Sequence, residues 1–186
     1  MKIARLILRL IVGGIFVGHG TQKLFGWFGG PGLEATAQGF DKMGMRPGRH
    51  HATAAAATET GGGALLITGL AIPFAASALI SVMLTAIRRV HFKNGFWNSN
   101  GGYEFNLALI GALLALAEDG PGSLALGGEG PHGPGWAAAA LAGGVIGAAG
   151  AHAYAAAQPE PQAAAPAGPP AAEAAAPEVA EPQPVS

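Results

Sequence analysis

The stretch that decides the fold is Ile3-Ala4-Arg5-Leu6-Ile7-Leu8-Arg9-Leu10-Ile11-Val12-Gly13-Gly14-Ile15-Phe16-Val17-Gly18-His19-Gly20-Thr21-Gln22-Lys23-Leu24-Phe25. Its only ionisable side chains are Arg5, Arg9, His19 and Lys23, and nearly all the rest is apolar. About 20 such residues, rising 1.5 Å each, cross the hydrocarbon of a bilayer. Arginines near one end and a lysine at the other can reach the two interfaces with their charged tips. A charged start followed by an apolar run also suggests a secretory signal. No small-x-small cleavage motif follows, however, and His19 and Lys23 stand where one is needed, so the reading is a retained span.

The rest of the chain agrees with that medium. Only 11% of the 186 residues are charged, against about 25% in soluble domains, and the mean hydropathy is +0.35. Further apolar stretches run from Ala52 to Ile72, interrupted by Glu59, and from Phe74 to Ile87 after a break at Pro73. A fourth runs from Glu104 to Ala117, with Glu104 suited to the positive end of a helix dipole. Trp136 to Ala157 is apolar but made mainly of Ala and Gly; it spans, lies at the interface or stays outside. No strand-period alternation competes. The expected fold is an all-α, polytopic membrane four-helix bundle with a fifth C-terminal helix as an option. Gly13-Gly14, Gly61-Gly62-Gly63 and Gly69 would allow close helix contact. The division is a bundle over 1–126, a linker and Ala/Gly-rich segment over 127–157, and a tail over 158–186. That tail holds eight Pro, ten Ala and four Glu, a composition that cannot bury a core and is expected to be disordered.

Several functions are excluded at once. With no cysteine the chain has no disulfide, thiolate metal site, iron–sulfur ligand or thiol nucleophile. A net charge of −1 gives no nucleic-acid footprint. Gly128-Glu129-Gly130-Pro131-His132-Gly133 matches a dinucleotide fingerprint in letters only, since no strand precedes it. No metal site is expected either, because the six histidines include no metal-type spacing. With four spans, the segments Lys23–His51 and Arg88–Tyr103 share one face and hold seven Lys+Arg. The positive-inside rule puts that face in the cytoplasm. Lys2, Arg5 and Arg9 at the start of the first span argue for the opposite orientation.

Three places can carry chemistry. His19 and Lys23 are four apart and share a helix face beside Gln22; they form either a polar site at the bundle mouth or an interfacial helix end. Glu59 is a carboxylate inside an apolar span, costly there unless paired or protonated. It is either functional or a packing ion pair with His19 or Lys23. The segment His91–Asn106 interleaves aromatics with Asn98, Asn100, Tyr103, Glu104 and Asn106. It reads either as a lid over a planar polar ligand or as a headgroup-anchored turn.

The run Gly18-His19-Gly20-Thr21-Gln22-Lys23-Leu24-Phe25-Gly26-Trp27-Phe28-Gly29-Gly30-Pro31-Gly32 resembles the N-terminal signature of the DoxX family. Thr58-Glu59-Thr60-Gly61-Gly62, Asn94 through Leu107, and Gly120-Pro121-Gly122-Ser123 are similar to its later blocks, in order, over roughly residues 5 to 126. The resemblance implies a small, multi-pass protein of the bacterial inner membrane, related to membrane subunits of thiosulfate:quinone oxidoreductases and linked to redox complexes and oxidative-stress defence. The expected function is support of redox chemistry at the bilayer through a quinone site. Glu59 and His19 would exchange protons there, and Lys23, His91, Asn98, Asn100, Tyr103, Glu104 and Asn106 would hold the ligand. No covalent cofactor is expected; electrons would come from soluble redox enzymes, and a homo-oligomer is compatible with the sequence. The rival functions are a non-catalytic anchor for such enzymes and a proton-coupled solute transporter.

Overall fold

A computed structural model describes residues 2–159, so the tail beyond Pro159 lies outside the described residues. Among them every regular element is helical. Helix α1 (Lys2–Phe25) leads through a 3-10 turn at Trp27–Gly29 into α2 (Gly32–Lys42) and α3 (Gly48–Thr68). Helix α4 (Ile72–Ala86) ends in a π-helical turn, Ile87–His91; α5 (Glu104–Asp119) and α6 (Pro134–Ala156) follow. The core is built of Val12 and Phe16 from α1, Leu66 from α3, Leu79 and Ile80 from α4, and Leu113 and Leu116 from α5.

Bilayer chemistry shows in what stays outside. Ile3, Ile7 and Ile11 form an exposed stripe at helical spacing on α1, and Val145 and Ile146 are exposed on α6. Such a surface suits lipid, which does not penalise apolar exposure. Three 23-residue helical stretches are long and apolar enough to cross a membrane: Ile3–Phe25, Ile72–Asn94 and Pro134–Ala156. The protein is a membrane protein. Two of the four expected spans do not meet that standard. Helix α5 has only 16 residues, and α3 carries Arg49, His50, His51 and Glu59. Helix α3 can be this polar because His51, Ala56, Glu59, Gly63 and Leu66 are buried against its neighbours. The Ala/Gly-rich C-terminal stretch, by contrast, does meet it.

Close packing explains the glycines. A Cβ on Gly13 would lie 2.7 Å from the carbonyl oxygen of Gly63, and one on Gly63 would lie 2.6 Å from that of Gly13. Helices α1 and α3 therefore touch backbone to backbone, as small residues permit in membranes. A Cβ on Gly62 would meet Leu79 of α4, whereas Gly14 and Gly61 face open space. Helix α6 lies on α4, where Gly144 sits against Ile80.

Two boundaries differ from expectation. The break between α3 and α4 comes at Gly69, whose left-handed conformation closes α3 with its N–H on Leu65 O at 2.9 Å. Pro73 instead sits in the first turn of α4, where its missing N–H costs nothing. The segment between the first two apolar stretches is also largely helical: α2 packs on α3 where Asp41 Oδ1 accepts the N–H of Gly48 at 2.7 Å.

Arg9 corrects the expectation that both early arginines reach the interface. It is 1% exposed. Its guanidinium donates to Pro121 O, to Ile67 O at 3.1 Å and to Leu124 O at 3.1 Å. These carbonyls are left over where α3 ends and where the chain turns after α5, so Arg9 fastens three segments together. Gly69 is needed here twice, for its φ of +77° and because a Cβ would stand 2.7 Å from an Arg9 nitrogen.

Candidate functional site

At the opposite end of α1 from Arg9 the helices line a half-open cavity of about 700 Å³. All six helices contribute to its wall, which is mainly apolar, with Phe16, Met45, Met83 and Leu109 among its residues. Size and lining match the usual form of a small-molecule site, an apolar hollow with a few polar groups.

The polar groups come from distant parts of the chain. Lys23 Nζ lies 2.6 Å from Glu59 Oε2. Of the two partners open to Glu59, the structure thus selects Lys23. The carboxylate side chain is 4% exposed and the ammonium side chain 25% exposed. The lysine also reaches back to the carbonyl of His19 at 3.4 Å. Helix geometry brings this about: Lys23 is one turn beyond His19 on α1, and Gly20 lets α1 press against Thr60 and Ala56 of α3. That contact holds Glu59 within reach. His19 itself is exposed and lines the cavity.

The opposite wall comes from the π-helical turn and α5. The extra residue in a π turn widens the helix and is a frequent feature of functional sites. Here Arg89, Val90 and His91 all reach the cavity lining. His91 Nδ1 is 2.7 Å from Gly101 O. Asn98 and Asn106 also line the cavity, and Asn106, 6% exposed, donates to Met83 Sδ at 3.4 Å.

Of the residues expected from sequence, His19, Lys23, Glu59, His91, Asn98 and Asn106 therefore share one cavity. Asn100, Tyr103 and Glu104 are not among its lining; they shape the loop beside it. Glu104 Oε1 accepts the N–H of Asn98 at 2.9 Å. Tyr103 is stacked with Phe92 at 5.9 Å and edge-on to Phe96 at 5.7 Å. Asn100 donates its backbone N–H to Trp97 O at 3.0 Å. Among the described residues no three His, Asp or Glu side chains stand together as a metal site.

Two lining residues escaped the sequence reading, His51 and Arg89. His51 stacks on Phe40 at 6.3 Å, and its Nε2 is buried with no hydrogen-bond partner. Arg89 donates through Nη1 to Met43 O at 3.2 Å and through Nε to His152 Nδ1 at 3.1 Å. In sequence Arg89 is one of an adjacent basic pair, Arg88-Arg89, and His51 one of an adjacent histidine pair, His50-His51. Only the fold turns them inward.

Comparison with known proteins gives one result. The family model described as DoxX matches residues 4–92, which include α1 through the π-helical turn and hence Lys23, Glu59 and Arg89. No curated protein and no solved structure matches the chain.

Proposed function

Residues 4–92 place this chain in the DoxX family, and from that premise we propose that it supports redox chemistry at the membrane by holding a quinone-type headgroup in its cavity. The observation that carries the reading is the Lys23–Glu59 pair, 2.6 Å apart at the wall of a largely apolar cavity of about 700 Å³. A quinone needs an apolar hollow for its ring and tail and polar groups for its two carbonyl oxygens, and this lining supplies both. A quinone bound there would supply two-electron, two-proton chemistry. Lys23 Nζ donates a hydrogen bond to one carbonyl oxygen. Glu59, ionised beside the ammonium, balances the lysine charge and is the acceptor for a proton released when a quinol in the cavity is oxidised. His91, Asn98 and Asn106 orient the far side of the ring, and His19 at the exposed edge exchanges protons with water.

The chain has no thiol, so electrons are delivered by a soluble redox partner at the loop-bearing face. Phe92 and Trp97, exposed by 67% and 63%, provide apolar surface there for a partner or for headgroups. The same reading places the protein in the bacterial inner membrane as a multi-pass bundle.

The test is binding of decylubiquinone and a short-chain menaquinone analogue to the purified chain in nanodiscs, read by quenching of its tryptophans. Saturable binding is expected, weakened about ten-fold or more in Glu59→Gln and Lys23→Met, about the effect of losing one charge-assisted hydrogen bond. Equal affinity in the native protein and both variants refutes the proposal.

A further inference from the structure

The charges around the cavity do not balance. Its lining contains one carboxylate, Glu59, and two permanent cations, Lys23 and Arg89. Glu59 is taken by Lys23 at 2.6 Å. Among the described residues Arg89 has no carboxylate within ion-pair distance, since the ion pairs there are Lys23–Glu59 and Arg49–Glu34. Asp41 on α2 does not line the cavity, and its Oδ1 accepts the N–H of Gly48 at 2.7 Å.

The contacts of Arg89 sharpen this imbalance. An arginine Nε carries a hydrogen and only donates. Because it lies 3.1 Å from His152 Nδ1, that nitrogen must accept, and the ring proton of His152 sits on Nε2. This Nε2 is buried without a partner, and so is Nε2 of His51. His51, 8% exposed, belongs to the cavity wall. The Arg89 end thus combines a guanidinium held in place through Met43 O and His152 with no carboxylate in ion-pair contact, Asp41 being the acid nearest His51, and two imidazoles each with an unsatisfied nitrogen, of which that of His51 belongs to the cavity wall. Buried polar groups normally find partners, and a guanidinium is the side chain best matched to carboxylate or phosphate oxygens.

We propose that the Arg89–His51 end of the cavity is an anion subsite, and that it takes an amphipathic organic anion whose acidic head pairs with Arg89 while its apolar body lies among Phe16, Met83 and Leu109. The apolar requirement follows from the rest of the lining. The shared chemistry is a single acidic head on a hydrophobic body, as offered by a fatty acid of the bilayer or by a soluble aryl carboxylate. This subsite lies in the same cavity as the proposed quinone contacts but uses different residues, and it does not depend on that reading.

The experiment uses the full chain in nanodiscs of zwitterionic lipid and measures equilibrium binding of matched acid and neutral probes. One arm compares oleate with methyl oleate; the other compares 4-tert-butylbenzoate with 4-tert-butylbenzamide. In the arm that supplies the true source, the acid is expected to bind about ten-fold tighter than its neutral partner. That preference should disappear in Arg89→Gln and persist, reduced, in Arg89→Lys. His51→Phe, which keeps the stack on Phe40, should lower acid affinity while leaving the neutral probe unchanged. If Arg89→Gln does not fold, the native ratio and His51→Phe decide the matter. Equal binding of acid and neutral probes in both arms overturns the proposal, as does a preference unaffected by every foldable variant. Quinone titrations on the same samples keep the two readings separate: acid preference without quinone binding supports the subsite alone.

Discussion

Removing the two members of the Lys23–Glu59 pair should have unequal costs. The carboxylate side chain is 4% exposed and the ammonium side chain 25% exposed, at 2.6 Å separation. Lys23→Met leaves a nearly enclosed carboxylate without its counter-ion, a change that costs about 3–5 kcal/mol when one partner of a buried pair is lost. Glu59→Gln keeps the shape and an acceptor oxygen for Lys23. The remaining ammonium can extend toward water along its stem, so the cost should be about 1–2 kcal/mol. The double variant strands no charge. Its destabilisation should fall short of the sum of the singles by roughly 2 kcal/mol, within the range found for residues in contact. The assay is reversible unfolding in mixed micelles of increasing SDS fraction, followed by tryptophan fluorescence, for all four corners of the cycle. Additive single costs, or a Glu59→Gln cost equal to or greater than that of Lys23→Met, would refute the pairing and its asymmetry.

Further outcomes follow from the packing. Arg9→Met should destabilise by about 3 kcal/mol in the same assay, because Pro121, Ile67 and Leu124 lose their donor; a loss under about 1 kcal/mol would show that Arg9 is not the fastener described. Gly63→Val should cost more than about 2 kcal/mol, since its Cβ would stand 2.6 Å from Gly13 O. Gly61→Ala, where nothing stands within 4 Å, should be neutral or stabilising by up to about 1 kcal/mol, and equal effects at the two sites would contradict the α1–α3 contact. Glu34→Gln should change stability by less than about 1 kcal/mol, because the Arg49–Glu34 side chains are 68% and 72% exposed.

What the sequence by itself determined is what short-range regularity encodes. Long apolar runs, low charge and the absence of strand alternation specify helices in a bilayer, because every backbone group there must be satisfied within its own segment. The order of the Gly18–Gly32 and Thr58–Gly62 motifs pointed to the family that the later comparison found over residues 4–92. Tertiary structure decided the partnerships. Lys23 and Glu59 are 36 positions apart, and a choice between Lys23 and His19 as the acid's partner needs the helix crossing that Gly13, Gly20 and Gly63 allow. Arg9 illustrates the same limit in reverse. An arginine near a chain start reads as an interfacial anchor, yet its carbonyl acceptors come from up to 115 positions away, where α3 stops and the chain turns after α5. His51 and Arg89 likewise look like surface charge until the π-helical turn and α2 set them against one cavity. Periodicity is a property of neighbouring residues, whereas burial and pairing depend on which helix faces meet, and that is fixed only when the bundle closes.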